Sequence, residues 1–159
     1  MKIGLGIDTH SFIEGNNFKL GGIEIKYNKA IKAHSDGDVL IHSIIDALLG
    51  AANLGDIGHL FPDTNKKYKN IDSKILLKKV SKLLVYQNYK IENIDTVIIL
   101  QEPNIAEYIH KMKITISKLL SITEKQISIK ATTTEGLGFE GVEDGVSAQA
   151  ISLIFNTGK

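Results

Sequence analysis

Strand-like and helix-like hydrophobic periods alternate along this chain, and that alternation restricts its fold more than any other feature. Residues 2–10 (KIGLGIDTH) set Ile3, Leu5 and Ile7 against Gly4, Gly6, Asp8 and His10, a strand period of two. Gly15-Asn16-Asn17 breaks the chain, and 18–25 (FKLGGIEI) reads as a second strand carrying a glycine bulge. From Gly37 to Asn53 the apolar set Ile41, Ile44, Ile45, Leu48 and Ala52 recurs at helical spacing, with Ser35 and Asp36 offering capping side chains just before it. Residues 55–65 (GDIGHLFPDTN) read as a loop, because Gly55, Gly58 and Pro62 suit neither period. A helix over 71–89 with Asp72 as N-cap, an apolar β-branched strand over 95–101 ended by Pro103, and a helix over 105–121 follow. A strand over 127–132, a glycine-rich loop over 133–144 and a final strand over 145–155 complete the chain. This order predicts one α/β or α+β domain over residues 1–159, a single mixed β-sheet packed against about three helices.

Composition narrows the function. A chain of 159 residues with 43% hydrophobic and 23% charged content is long enough to bury one substantial core. A net charge of +1, with no run of five like charges, gives no basic face for nucleic acid. No apolar stretch approaches the roughly 20 residues that span a bilayer, so a cytoplasmic address is expected, or a plastid stroma after removal of a transit peptide. With no cysteine, any transition metal must be held by carboxylates and by His10, His34, His42, His59 or His110.

Asp8 and His10 stand two apart on a strand and leave it on the same face, half of a metal site. His42 shares a helix face with Asp38 and Asp46, at i−4 and i+4, and either carboxylate could accept the second N–H of a metal-bound imidazole. An Asp-x-His triplet taken alone is more often structural than metal-binding. Three protein ligands, one Asp and two His, nevertheless match the arrangement in which a catalytic zinc keeps one position open. His34-Ser35-Asp36-Gly37, at the expected helix start, suits phosphate oxygens as readily as it suits a simple cap. Thr132, Thr133 and Thr134, followed by Glu135 and two nearby glycines, offer hydroxyls to phosphates and a hard oxygen ligand for Mg²⁺ or Mn²⁺.

Together these segments resemble one family, the 2-C-methyl-D-erythritol 2,4-cyclodiphosphate synthases of the non-mevalonate isoprenoid pathway. The matching pieces are IGLGIDTH (3–10), AHSDGDVLIHSIIDALLGAANLGDIGHLFPDT (33–64), Gln101 with Pro103, and KATTTEGLGF (130–139), in order along nearly the whole chain. The resemblance implies that Asp8, His10 and His42 hold Zn²⁺, that Glu135 holds Mg²⁺ or Mn²⁺, and that His34 and Thr133 stabilise the transition state. It implies further that Ser35, Asp56, Ile57, Gly58 and Asp63 meet the erythritol diol and its phosphates, and that Phe61, Pro62 and Thr64 belong to the substrate site. Gln101, Pro103, Ile105, Thr132, Thr134 and Phe139 complete the implied substrate site, the cytidine lying near 101–106. The implied substrate is 4-diphosphocytidyl-2-C-methyl-D-erythritol 2-phosphate, closed to a cyclic diphosphate with loss of CMP. The implied assembly is a homotrimer with each active site shared between neighbours. Val142 and Asp144 replace an Arg and a Glu that line the trimer channel in many members, and Asn104 stands where Lys is common beside the cytidine. His59 and His110 read as surface residues. Outside the resemblance, two other classes fit the residues: a phosphohydrolase using metal-activated water, and a non-catalytic oligomer stabilised by metal.

Overall fold

Two glycines determine how the first strand meets the first helix. In the computed structural model, which describes residues 1–62, 64, 65, 68 and 70–158, strand β1 (Lys2–Glu14) lies directly beneath helix α1 (Val39–Ala52). A Cβ added at Gly4 would sit 1.9 Å from the Ala47 carbonyl oxygen, and one at Gly6 would sit 2.0 Å from that of Ser43. The helix therefore rests on bare backbone, a contact that no side chain other than glycine's allows. The larger residues of the strand turn the other way: Ile3, Leu5 and Ile7 remain 72%, 59% and 54% exposed.

α1 is the centre of the core. Every residue of the helix except Asp46 and Gly50 is buried, and Leu40, Ile41, Ile44, Ile45, Leu48 and Leu49 are fully so. Burial of each such side chain contributes about 1.5–3 kcal/mol. Helices α3 (Ser73–Tyr86) and α4 (Ala106–Leu120) extend the layer through Leu77, Val80, Leu84, Met112 and Ile116. The expected count of about three packed helices holds, and two single turns, α2 (Ile57–Leu60) and α5 (Gly138–Gly141), lie within segments expected to be loops.

Beneath the helices runs a five-stranded sheet in the order β4-β1-β7-β5-β6. Its other members are β4 (Lys29–Ile31), β5 (Tyr89–Ile99), β6 (Ile127–Thr132) and β7 (Gly145–Asn156). The β5–β6 pair is parallel and the remaining pairs are antiparallel, so the sheet is mixed as expected. Strand β4 was not anticipated; three half-buried residues carry too little period to detect.

Three local expectations are corrected. Residues 18–25 are not one bulged strand. They form a hairpin, β2 (Asn17–Leu20) and β3 (Ile23–Lys26), because Gly21 and Gly22 both take positive φ, 61° and 75°, and turn the chain. The helix expected over 71–89 stops at Tyr86, since Asn88 at φ 59° reverses the chain into β5 six residues earlier than the apolar run suggests. Asp72 does cap that helix, accepting from the Lys74 amide at 2.9 Å.

The third correction bears on the site. Neither Ser35 nor Asp36 caps α1. Asp38 does, accepting from the Ile41 amide at 3.0 Å and also from the Gly21 and Gly22 amides at 2.8 and 2.6 Å. One buried carboxylate thus ties the β2–β3 turn to the start of α1. Burial raises its pKa even against these three N–H donors. At that helix end the Asp38 carboxyl already takes the Ile41 amide.

Candidate active site

The direction of α1 places the chemistry. Gly4 faces Ala47 and Gly6 faces Ser43, so the helix runs antiparallel to β1, and one step further brings His42 over Asp8. Nδ1 of His42 lies 2.9 Å from Oδ2 of Asp8, and Nε2 of His10 lies 3.3 Å from the same oxygen. The two imidazoles meet edge to face, 5.8 Å between centroids. One ligand atom from each of the three residues falls within a 4.8 Å span. Tetrahedral zinc with N and O ligands would hold its donors roughly 3.3–3.5 Å apart, so small rotations bring this set into place.

These three residues could hold a metal ion. Nε2 of His10 is buried and has no hydrogen-bond partner among the described residues. Burial alone would raise the Asp8 carboxyl, but the adjacent His10 and His42 imidazoles outweigh it and hold Asp8 well below the usual carboxylate range. Burial likewise lowers the His42 imidazole, and Asp8 overrides it, so His42 lies above its ordinary 6.5. These shifts fix the sign of a prediction for metal-stripped protein. The Asp8 contribution to stability is present above about pH 3.8 and is lost as pH falls through its depressed pKa. The His42 contribution is fully present below 6.5 and is lost as pH rises through its raised pKa. Stripped protein should therefore melt at progressively lower temperature above about pH 6.5. Added zinc competes with that proton, so the upward shift in Tm it produces should grow with pH. Thermal melts with chelator or zinc across pH 6–9 check both slopes, and a zinc shift independent of pH would contradict the assignment.

Two expected partners of His42 are elsewhere. Asp38 serves the hairpin turn, and Oδ1 of Asp46 accepts from the Ile57 amide at 2.7 Å, stitching α1 to α2. Burial raises the pKa of Asp46. The partner of His42 Nε2 is instead Ser73 Oγ at 2.8 Å, at the start of α3. Nothing in the sequence marked Ser73, which stands 31 positions away and is brought in only when α3 packs on α1.

Around the triad lies a cavity of ≈190 Å³ that gathers Asp8, His10, His34, Ser35, His42, Ile57, Gly58 and Phe61. Tyr68, Ile71 and Leu76 also line it and had no sequence signal beyond ordinary hydrophobicity. Asp56 caps α2, accepting from the His59 amide at 2.7 Å. Pro62 and Thr64 follow α2 without lining the cavity, and Asp63 lies outside the described residues.

Of the remaining expected residues, Gln101, Pro103, Ile105, Thr132 and Thr133 gather in a second cavity, ≈480 Å³, lined by Leu100 to Ala106, Ile109, Ala131, Thr132 and Thr133. It contains Gln101, Pro103, Asn104 and Ile105, and the Glu102–Pro103 peptide there is cis. Thr133 Oγ1 donates to Glu135 Oε1 at 2.8 Å, and the Gly136 amide donates to Gln101 Oε1 at 3.3 Å, so the Thr-rich loop is held over this cavity. Phe139 is half exposed in α5. Within one chain the two cavities are well separated. His10 pairs with Val146 of β7, the adjacent Ser147 with Ile99 of β5, and Ile99 with Thr132 of β6, three strand spacings across the sheet, or about 14 Å.

The model of the YgbB family matches residues 1–155. A curated 2-C-methyl-D-erythritol 2,4-cyclodiphosphate synthase of Caldicellulosiruptor bescii is 52% identical over 153 residues, covering 96% of this chain and 98% of the relative. Among solved structures, the bifunctional IspDF of Campylobacter jejuni superposes with TM-score 0.92 at 41% identity, covering 98% of this chain, which spans 42% of that longer one. A Plasmodium falciparum IspF in complex with CDP superposes with TM-score 0.86 at 36% identity, covering 99% of this chain and 97% of that one. With a family match over 155 residues and relatives aligned end to end at half identity, the chain belongs to the YgbB family of 2-C-methyl-D-erythritol 2,4-cyclodiphosphate synthases.

Proposed function

We propose that this chain converts 4-diphosphocytidyl-2-C-methyl-D-erythritol 2-phosphate to 2-C-methyl-D-erythritol 2,4-cyclodiphosphate and CMP. The convergence of Asp8, His10 and His42 beside a cavity that also holds His34, Ser35, Ile57 and Gly58 is the observation that carries this reading. An oxygen of the 2-phosphate forms a bond to the β-phosphorus as the bond from that phosphorus to the bridging oxygen of the α-phosphate breaks. The electron pair departs with CMP, and no water is consumed. When bound, Zn²⁺ on Asp8, His10 and His42 and Mg²⁺ or Mn²⁺ on Glu135 would supply positive charge to the phosphoryl oxygens as they meet and part.

The chain's own residues do the positioning. His34 and Thr133 donate to the oxygens of the attacked phosphoryl group, where charge is shared as bonds exchange. Ser35, Asp56, Ile57, Gly58, Phe61, Pro62, Asp63 and Thr64 orient the diol and the attacking phosphate, shortening a search that is intramolecular already. Gln101, Pro103, Ile105, Thr132 and Thr134 hold the cytidine and α-phosphate. The nucleophile is an anion before it attacks, so no side chain has to remove a proton from it.

Each site is completed by a neighbouring copy in a homotrimer. Two features support this: the two half-sites lie far apart within one chain, and the outer sheet face around Ile3, Leu5, Ile7 and Ile151 is apolar and exposed. A patch of that kind on a sheet ordinarily meets another protein surface. Incubation with the cytidylyl substrate in ¹⁸O-water tests the reaction. Equimolar CMP with no label in the methylerythritol product is expected, and labelled product would establish hydrolysis instead. Light scattering should return three chains per particle; a monomer would refute the shared site.

A further inference from the structure

We propose that Ser73 and Asp36 form a positioning relay that sets the tautomer of His42 and so aims its Nδ1 at the metal; this rests on the reading of Asp8, His10 and His42 as a metal site. The hydrogen-bond directions follow by elimination. Both the backbone N–H and the hydroxyl of Ser73 donate to Asp36, the amide to Oδ2 at 2.9 Å and the hydroxyl to Oδ1 in a short contact. With its single proton committed to a carboxylate, Ser73 Oγ can only accept from His42, whose Nε2 stands 2.8 Å away. Nε2 is then the protonated nitrogen, and the lone pair lies on Nδ1.

That lone pair points at Oδ2 of Asp8, 2.9 Å off. Two acceptors facing each other at this distance repel unless a cation or a proton lies between them, which is the demand a metal meets. The relay thus turns an imidazole with two equivalent choices into a ligand with one. Ser35 Oγ is the rival acceptor for Nε2. It lies farther off, at 3.4 Å, and already accepts from the Gly37 amide at 3.3 Å. Ser73 is fully buried, whereas Ser35 lines the cavity, so the division of labour leaves Ser35 available to a ligand. Asp36 is steadied in turn by Lys19, whose Nζ lies 3.8 Å from it and donates to Asp72 at 3.2 Å. A carboxylate behind a histidine is the usual partner of a metal ligand; here a serine hydroxyl stands between the two.

Metal affinity is the direct readout. Ser73→Ala, metal-stripped and refilled, should bind zinc roughly 10- to 100-fold more weakly than the wild type in competition with a chromophoric chelator. The d–d bands of its cobalt(II) adduct should shift, while Ser73→Thr, which keeps the hydroxyl, should recover most of the affinity. A folded Ser73→Ala protein with wild-type zinc affinity and cobalt spectrum would overturn the relay. The wild-type protein gives a test that no folding defect can spoil: nitrogen-15 spectra of the zinc-loaded chain should show the proton on Nε2 of His42, and zinc on Nε2 would refute the relay. A wild-type protein that takes up no zinc at all would instead defeat the metal-site reading, so the two failures are separable.

Discussion

His42→Ala should abolish CMP release, lowering kcat/KM by about three orders of magnitude or more, in a chain that still folds. The reasoning starts from charge. The proposed reaction brings two phosphate anions together, and the cation held by Asp8, His10 and His42 offsets their repulsion, an effect worth several kcal/mol. Each 1.36 kcal/mol is a factor of ten in rate, so losing about 4 kcal/mol costs roughly 10³. His42 is the ligand that belongs to α1, and without it Asp8 and His10 on a single strand cannot enclose an ion. The fold should survive because Ile41, Ile44, Ile45 and Leu48 keep the helix buried, although the favourable His42–Asp8 contact is lost. CMP release and zinc content, measured on the same preparation, decide the matter. Zinc lost together with activity from a folded chain is the expected pattern; near-normal turnover would remove His42 from the mechanism, and an unfolded product would mean the metal is structural.

Gly6→Ala should have the largest effect on stability, lowering Tm by roughly 6–16 °C. The new methyl would lie 2.0 Å from the Ser43 carbonyl oxygen and 2.6 Å from the Ala47 amide nitrogen, where ordinary contact begins at 3.4 Å. Both are backbone atoms of the most buried helix, so α1 must lift away from β1 bodily and open the core beneath it. Overpacking typically costs about 1–3 kcal/mol and occasionally more, and a clash with two backbone atoms puts this one at about 3–4 kcal/mol. At roughly 2–4 °C per kcal/mol for a domain of this size, the shift in melting is large. The same lift would draw His42 away from Asp8, so zinc affinity should fall along with stability. Gly50→Ala is the control on the same helix. A Cβ there meets nothing within 4 Å, and the better helix propensity of alanine should raise stability by about 0.5–1 kcal/mol. Equal melting temperatures for Gly6→Ala and the wild type would contradict the close approach.

Much of this was legible in the sequence. Local periodicity carried the first strand, the helix over 37–53 and the mixed one-sheet architecture, because side-chain spacing is a property of the strand or helix itself. Asp8 and His10 could be paired without a structure for the same reason, since two residues apart on a strand must share a face. The turn at Gly21-Gly22 and the reversal at Asn88 were misplaced, because positive φ breaks a period without altering the hydrophobic pattern around it. The choice of cap at α1 was also missed: Asp38 wins over Ser35 and Asp36 through the Gly21 and Gly22 amides, which come from another part of the chain.

Only the tertiary structure decided which face of β1 is inside, and with it where Asp8, His10 and His42 meet. The alternation of Ile3, Leu5 and Ile7 with Gly4 and Gly6 is symmetric with respect to that choice until a helix arrives that fits only over the glycines. Once α1 sits there, His42 falls on Asp8 and His10 as a consequence of register, not of sequence distance. Ser73 and Asp36 join His42 only when α3 docks. Covalent neighbours were therefore settled by the sequence alone, whereas the partners of His42 were settled by packing, because contacts between residues 31 to 34 positions apart carry no local signature.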